Sequence, residues 1–349
     1  MKLNIILLYI LIAIPLFSQE KINIEKLNNY LAGKYINDYQ ITNDTIYACT
    51  DKNIIYFCND TIRSLIDGDF SNSIITVKNN KIFLLKEKGG IFELMKIQND
   101  NIVKSINLNY DNKNVDFNNI FIAADNSNLF ISMQNYSVNF DRPDLIVFKL
   151  DENLNIIKMF TYRNMPYNNY LFAYNSYIYL VLKYKDNFSL LKFNNNDFEK
   201  VLDLDYLSED NYDYLRLANY YLYKNELTLI YKKDKLLKII VYNLKTNKLD
   251  KYFCPYDDFE MNFAFANINR NIYFGIDTVF YKLNLDNAVL ENITFSYINN
   301  FSYSYNHPDT DYYCKIFLAK KINFVSDVFI ILNHKSENCD GNMLFINTK

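Results

Sequence analysis

The sequence predicts an all-β domain built from seven copies of a four-stranded unit, and two observations predict it. The first is a rhythm. A short apolar triplet recurs at Thr45-Ile46-Tyr47, Lys81-Ile82-Phe83, Asn128-Leu129-Phe130, Tyr177-Ile178-Tyr179, Glu226-Leu227-Thr228, Asn271-Ile272-Tyr273 and Asp327-Val328-Phe329. The central residues lie 36 to 56 residues apart, near the repeat length of about 40–50 residues found when four short strands form one unit. The second is composition. Of 349 residues, 50% are hydrophobic and 17% aromatic, carried by 32 Tyr and 27 Phe with no Trp. Such residues favour strands and give ample area for a packed core. With 6 Gly and 5 Pro, Asn and Asp must make most of the turns, capping backbone groups with their side chains.

Each triplet is read as the second strand of its unit. Third strands follow at Ile54–Phe57, Ile91–Ile97, Leu145–Leu150, Phe188–Phe193, Leu237–Tyr242, Val279–Leu283 and Met343–Ile346. Fourth strands follow six of these, at Thr61–Leu65, Ile102–Ile106, Ile156–Tyr162, Phe198–Leu204, Lys248–Phe253 and Val289–Phe295. The seventh unit has no fourth strand before Lys349. An open strand edge invites aggregation, so the N-terminal segment is expected to cover it. That segment reads two ways. Ile22, Ile24 and Leu27 fit a strand; an Asn23 cap, Leu27, Tyr30, Leu31 and a stop at Gly33 fit a short helix.

This strand rhythm resembles a divergent β-propeller of seven blades, and the resemblance covers nearly all of the chain after residue 18. It implies a ring of sheets closed by the N-terminal segment. The residue signatures of named propeller families are missing. Without Trp there is no Trp-Asp repeat, and the Ser-x-Asp-x-Gly-x-x-Trp box of sialidase-type propellers is absent. Kelch repeats carry a Gly doublet in every blade, and this chain has one, Gly89-Gly90. A large β-sandwich or a β-helix shares the rhythm and stays open as an alternative.

The first eighteen residues read as a signal peptide. Lys2 precedes an apolar run from Leu3 to Phe17, broken by Pro15 and followed by Ser18-Gln19-Glu20. The run is short for a spanning helix, and cleavage is expected after Ser18 or Gln19. Residues 19–349 then form one domain in the periplasm, in the cell envelope or outside the cell. No Pro/Ser-rich linker or charge block divides it, and no later segment is long and apolar enough to span a bilayer. Net charge is −3 at pH 7 with no dense Lys/Arg run, which argues against a nucleic-acid partner. In an oxidising compartment the five Cys admit two readings. Cys49–Cys58 and Cys314–Cys339 pair by proximity, with Cys254 left over, or all five are small buried hydrophobes.

No catalytic motif stands out. Acyl transfer lacks a Gly-x-Ser-x-Gly elbow, and phosphate binding lacks a Gly-rich loop. Acidic clusters at Asp203, Asp205, Glu209, Asp210 and Asp213, and at Asp257, Asp258 and Glu260, leave calcium open as a ligand, although neither has the spacing of a known calcium loop. In the resembled fold, connections between repeats share one face with the loops joining second and third strands. The former are rich in Asp, Glu and Tyr; the latter carry Lys86, Lys88, Lys183, Lys185, Lys232, Lys233 and Lys235. The segment Phe301–Tyr313 is the longest of these connections. It holds Tyr303, Tyr305, His307, Asp309 and Asp311, and the next candidate holds Tyr256, Asp257, Asp258 and Glu260. Tyr offers a flat apolar body with one hydroxyl, suited to sugar rings and peptide side chains.

Two function classes follow. One is a non-catalytic exported binding or scaffold module for a glycan, peptide or protein, with no cofactor. The other is a secreted hydrolase or lyase using loop carboxylates, which would need two carboxylates at a defined separation in one pocket.

Overall fold

The computed structural model describes residues 24–31, 34–42, 45–58, 61–108, 115, 120–136, 143–163, 165, 169–184, 187–194, 196–206, 216–233, 236–255, 265–276, 279–293, 319–325, 328–333 and 343–347. Among these residues a helix, α1 (Ile24–Leu31), precedes 27 strands. The first sheet is the antiparallel meander β1 (Ile36–Thr42), β2 (Thr45–Thr50), β3 (Asn53–Cys58) and β4 (Thr61–Asp67). The second runs β5 (Ser73–Lys78), β6 (Lys81–Lys88), β7 (Ile91–Gln98) and β8 (Asn101–Leu108). The third runs β9 (Phe121–Ala124), β10 (Asn128–Asn135), β11 (Asp144–Asp151) and β12 (Ile156–Tyr162). The fourth runs β13 (Tyr170–Tyr174), β14 (Tyr177–Tyr184), β15 (Asn187–Asn194) and β16 (Asp197–Tyr206). The fifth runs β17 (Arg216–Tyr223), β18 (Glu226–Lys233), β19 (Leu236–Asn243) and β20 (Leu249–Pro255). The sixth runs β21 (Phe265–Ile268), β22 (Asn271–Ile276), β23 (Val279–Asn284) and β24 (Val289–Ile293). A last sheet has three strands, β25 (Ala319–Val325), β26 (Val328–Asn333) and β27 (Met343–Asn347).

The described residues of all seven triplets are therefore in second strands, and the expected third and fourth strands are present, with Asp327 and residues 294–295 outside the described residues. The turns follow from composition. Asn79-Asn80, Asn99-Asp100, Asn175-Ser176 and Asn269-Arg270 have positive φ at both residues, as does Gly89-Gly90. Two positive φ values in a two-residue hairpin turn match the right-handed twist of the strands it joins, and Asn, Asp and Gly tolerate them best.

The sheets stack face to face along their first strands. β1 touches β5, β5 touches β9, β9 touches β13, β17 touches β21 and β21 touches β25. Tyr170 on β13 and Tyr220 on β17 bring the fourth and fifth sheets together, their ring centroids 5.1 Å apart. Strand alternation gives each sheet two apolar faces, and each wedge is filled from both sides. Ile54 and Cys49 meet Ile75 and Leu84. Phe83 and Leu94 meet Ile131 and Phe148. Phe130 and Val147 meet Ile178 and Leu180. Tyr179 and Val181 meet Leu229 and Ile240. The fourth strands lie outside, so Ile102, Val103, Ile156, Ile157 and Met159 are each about half exposed.

The N-terminal segment is a helix from Ile24, so the strand reading is set aside for these residues. Leu27 and Leu31 pack on Ile36, Tyr39, Ile46 and Phe57, on the face of the first sheet turned away from the second. The Asn53 side chain donates to the Tyr30 hydroxyl at 3.4 Å. The proposed Cys49–Cys58 bond is also corrected. No disulfide joins them, because Cys49 faces Ile54 while Phe57, beside Cys58, faces Ile46 at the other end of the hairpin. Rungs about 3.4 Å apart place the two cysteines too far from each other to bridge. Cys49 is instead a buried hydrophobe whose Sγ donates to the Asp38 and Ser73 carbonyls. Cys314 and Cys339 lie outside the described residues.

Candidate functional site

The first strands begin at the end of the stack where the chain crosses from one sheet to the next. β5 has β6 as its ladder partner and an open edge toward β1. Buried N–H groups on such an edge need acceptors, and β1 supplies them from side chains. The Ile75 N–H donates to Asp38 Oδ2 at 3.1 Å and the Val77 N–H to Gln40 Oε1 at 2.7 Å. Asn37 accepts from the Asn72 N–H at 3.2 Å and donates to the Phe70 carbonyl at 3.0 Å. A polar row, Asn37, Asp38 and Gln40, thus sews the first sheet to the second at the inner edge.

The connection 68–72 is fastened as well. Lys86 on β6 donates to the Asp69 carbonyl, sits 3.6 Å from Asp69 Oδ2 and lies over the Phe70 ring. Hydrogen bonds from Ser71, and then the Lys86 charge, hold the Asp69 carboxyl below the usual range. Glu87 accepts from the Gly90 N–H at 2.7 Å and from the Asn72 amide at 3.2 Å. Lys86, expected in the loop between second and third strands, lies within β6, and its charge pairs with Asp69.

An aromatic row continues along the inner strands. Phe121 meets Tyr170 edge-on at 5.3 Å, and Tyr220 stacks on Phe172 at 5.2 Å. Burial pushes the Tyr170 and Tyr220 hydroxyls well above the usual phenol range, with the Asp38 charge adding to the effect on Tyr220. Both stay protonated donors at neutral pH.

Tyr303, Tyr305, His307, Asp309 and Asp311, and Tyr256, Asp257, Asp258 and Glu260, lie outside the described residues. Of the calcium candidates, Asp203 and Asp205 lie on β16, and the Asp203 oxygens accept from Ser189 at 2.8 Å and Lys200 at 2.9 Å; Glu209, Asp210 and Asp213 lie outside the described residues. Among the described residues no group of three His, Cys, Asp or Glu side chains gathers to hold a metal. Sequence reasoning missed Asn37, Asp38 and Gln40. Their signal was three polar residues in an otherwise buried first strand.

No family model and no curated protein match the chain. Solved structures do. Oligogalacturonate lyase from Vibrio parahaemolyticus matches 90% of this chain and 90% of its own, with 10% identity and a TM-score of 0.52. The CNH domain of AfRom2 matches 91% and 96%, at 10% identity and 0.52. The β-propeller domain of the Trilobed protease from Pyrococcus furiosus, described as having an open velcro topology, matches 90% and 94%, at 11% identity and 0.50. Among longer chains, this one spans 38% of the extracellular domain of a hybrid two-component system from B. thetaiotaomicron and 52% of the acylaminoacyl peptidase of Pyrococcus horikoshii. At such identities the likeness concerns the fold. With stacked four-stranded meanders joined at their first strands, it defines the class: the chain is a divergent β-propeller repeat protein.

Proposed function

We propose that this propeller is an exported seven-bladed ring, closed by its N-terminal segment, that acts as a non-catalytic binding or scaffold module for a glycan, peptide or protein. The observation that carries the reading is an asymmetry between the two ends of the sheets. At one end the chain turns tightly, through Asn79-Asn80, Asn99-Asp100, Asn175-Ser176 and Asn269-Arg270. At the other end the chain passes from sheet to sheet, with intervals of 12, 9, 9 and 25 residues between β8 and β9, β16 and β17, β20 and β21, and β24 and β25. Loops on a rigid scaffold are where binding is usually placed. The Asn37, Asp38 and Gln40 bonds and the Lys86–Asp69 contact supply such rigidity where the chain passes from the first sheet to the second. Asp69, Asp151, Glu152 and Asp203 are all held below the usual carboxyl range by hydrogen bonds and lysines, which suits structural anchors and not a proton-holding general acid. Packing of α1 on the outer face of the first sheet supports closure of the ring at that face.

The test is a screen of glycan and peptide arrays with the wild-type chain and with a variant in which Tyr305, His307, Asp309 and Asp311 are all Ala. Binding lost by a variant that melts like wild type supports the reading. Equal binding places the site elsewhere, and turnover of an arrayed glycan contradicts a non-catalytic role.

A further inference from the structure

A second polar site lies at the tight-turn end, between the fifth and sixth sheets. An open cleft of about 130 Å³ is lined by Glu226, Val241, Asn243, Lys248, Asp250, Tyr252 and Arg270. Both cations of the cleft are already paired, one with a lining carboxylate and one with a carboxylate beside it. Lys248 pairs with Asp250 at 3.0 Å, and Arg270 Nε pairs with Asp286 at 2.9 Å. The Glu226 carboxylate has no ion-pair or hydrogen-bond partner among the described residues. It stands on the rung directly opposite Asn243, which sets the two β-carbons about 5 Å apart. Asn243 Oδ1 accepts from the Lys245 and Thr246 N–H groups at 3.0 and 2.9 Å, so the amide's Nδ2 donors are directed away from that turn.

Arg270 is the unusual member. It occupies the second position of a hairpin turn with φ +64, where the corresponding turns have Asn80, Gly90, Asp100 and Ser176. A long side chain in this conformation is retained at a cost in backbone energy. Its guanidinium is held in the cleft by the Tyr252 hydroxyl and Asp286. These contacts use two of five N–H donors and leave the others in a fixed fork.

We infer that this wedge is a saccharide subsite, taking a neutral pyranose through a pair of adjacent hydroxyls. The carboxylate of Glu226 accepts one hydroxyl proton. Asn243 Nδ2 and the remaining Arg270 donors bind the hydroxyl oxygens, and the half-buried Tyr252 ring offers an apolar edge. A neutral polyol fits because the cleft's own cations are already neutralised, while one acceptor and several fixed donors stay available. This inference does not depend on the loop-bearing face named above.

The experiment is ligand-observed NMR on the full chain with a panel of free neutral hexoses, and in a second arm with oligosaccharides of the same sugars. At least one hexose should show saturation transfer from the protein. Glu226→Gln and Asn243→Ala, each melting like wild type, should weaken that binding at least tenfold. Arg270→Lys, which keeps the charge and loses the fork, should weaken it as well. The Tyr305, His307, Asp309 and Asp311 variant should bind the hexose unchanged. Binding of oligosaccharides alone, absence of any saccharide binding, or full binding by Glu226→Gln and Asn243→Ala would overturn the inference. Loss in the loop variant with retention in the wedge variants would assign the sugar to the other face.

Discussion

Ala288 and Leu154 both hold the backbone in the left-handed region, with φ +55 and +60, yet for different reasons. Leu154 is buried in the wedge between the second and third sheets, where packing outweighs the local strain. Ala288 is exposed in the turn before β24 and gains nothing comparable. Ala288→Gly should therefore stabilise the protein by about 1 kcal/mol, read by denaturant unfolding. A loss of stability would show that the turn is held by something other than its backbone preference. Tyrosines set the alkaline limit. Burial, with the Asp197 charge, pushes the Tyr162 hydroxyl up to about 12, and Tyr170 and Tyr220 are raised further in the same direction. Below pH 10 both folded and unfolded forms are protonated, and these groups contribute no pH dependence. Above pH 10 the unfolded chain loses protons that the folded chain keeps, so stability falls from pH 10 toward 12. Melting temperatures measured across that range should drop steadily; a flat profile would mean that the hydroxyls are solvated. At this scale the sequence was least legible. Asn37, Asp38 and Gln40 look like surface residues until β5 shows its open edge to them.

Strands carried the most readable signal. Ile82, Ile178 and Ile272 were expected between sheets, and they are 5%, 0% and 0% exposed. Each Ile→Ala change should cost about 2–5 kcal/mol, measured by chemical denaturation. Near-wild-type stability in all three would contradict the strand register. These elements were legible because a strand's apolar period of two survives even when every other residue is exchanged. The helix was harder. Ile22 and Ile24 satisfy the strand period, while Leu27, Tyr30 and Leu31 satisfy the helical one. The choice belongs to the sheet face beneath. Ile36, Tyr39, Ile46 and Phe57 present a broad apolar surface, which a helix with Leu27 and Leu31 on one side covers better than a strand can. Proximity misled the cysteine reading in a similar way, because neighbours in sequence stand at opposite ends of one hairpin.

At the scale of the molecule, repeat length alone foretold stacked meanders and a last sheet of three strands. It could not foretell which groups meet across wedges, because those contacts join residues tens of positions apart. Lys81, for instance, reaches Glu152 at 2.6 Å, and Ser176 reaches Asn126 at 3.1 Å. The polar wedge at Glu226 and Arg270 is of the same kind, assembled from two sheets and invisible in either. The proposed ring requires that α1, which lies on the first sheet, also meet the last. Pulsed electron–electron spin resonance between labels at Lys26 on α1 and Asn347 on β27 tests this directly. A short, narrow distance distribution that broadens on unfolding is the predicted result. A long or broad distribution in the folded protein would contradict a closed ring.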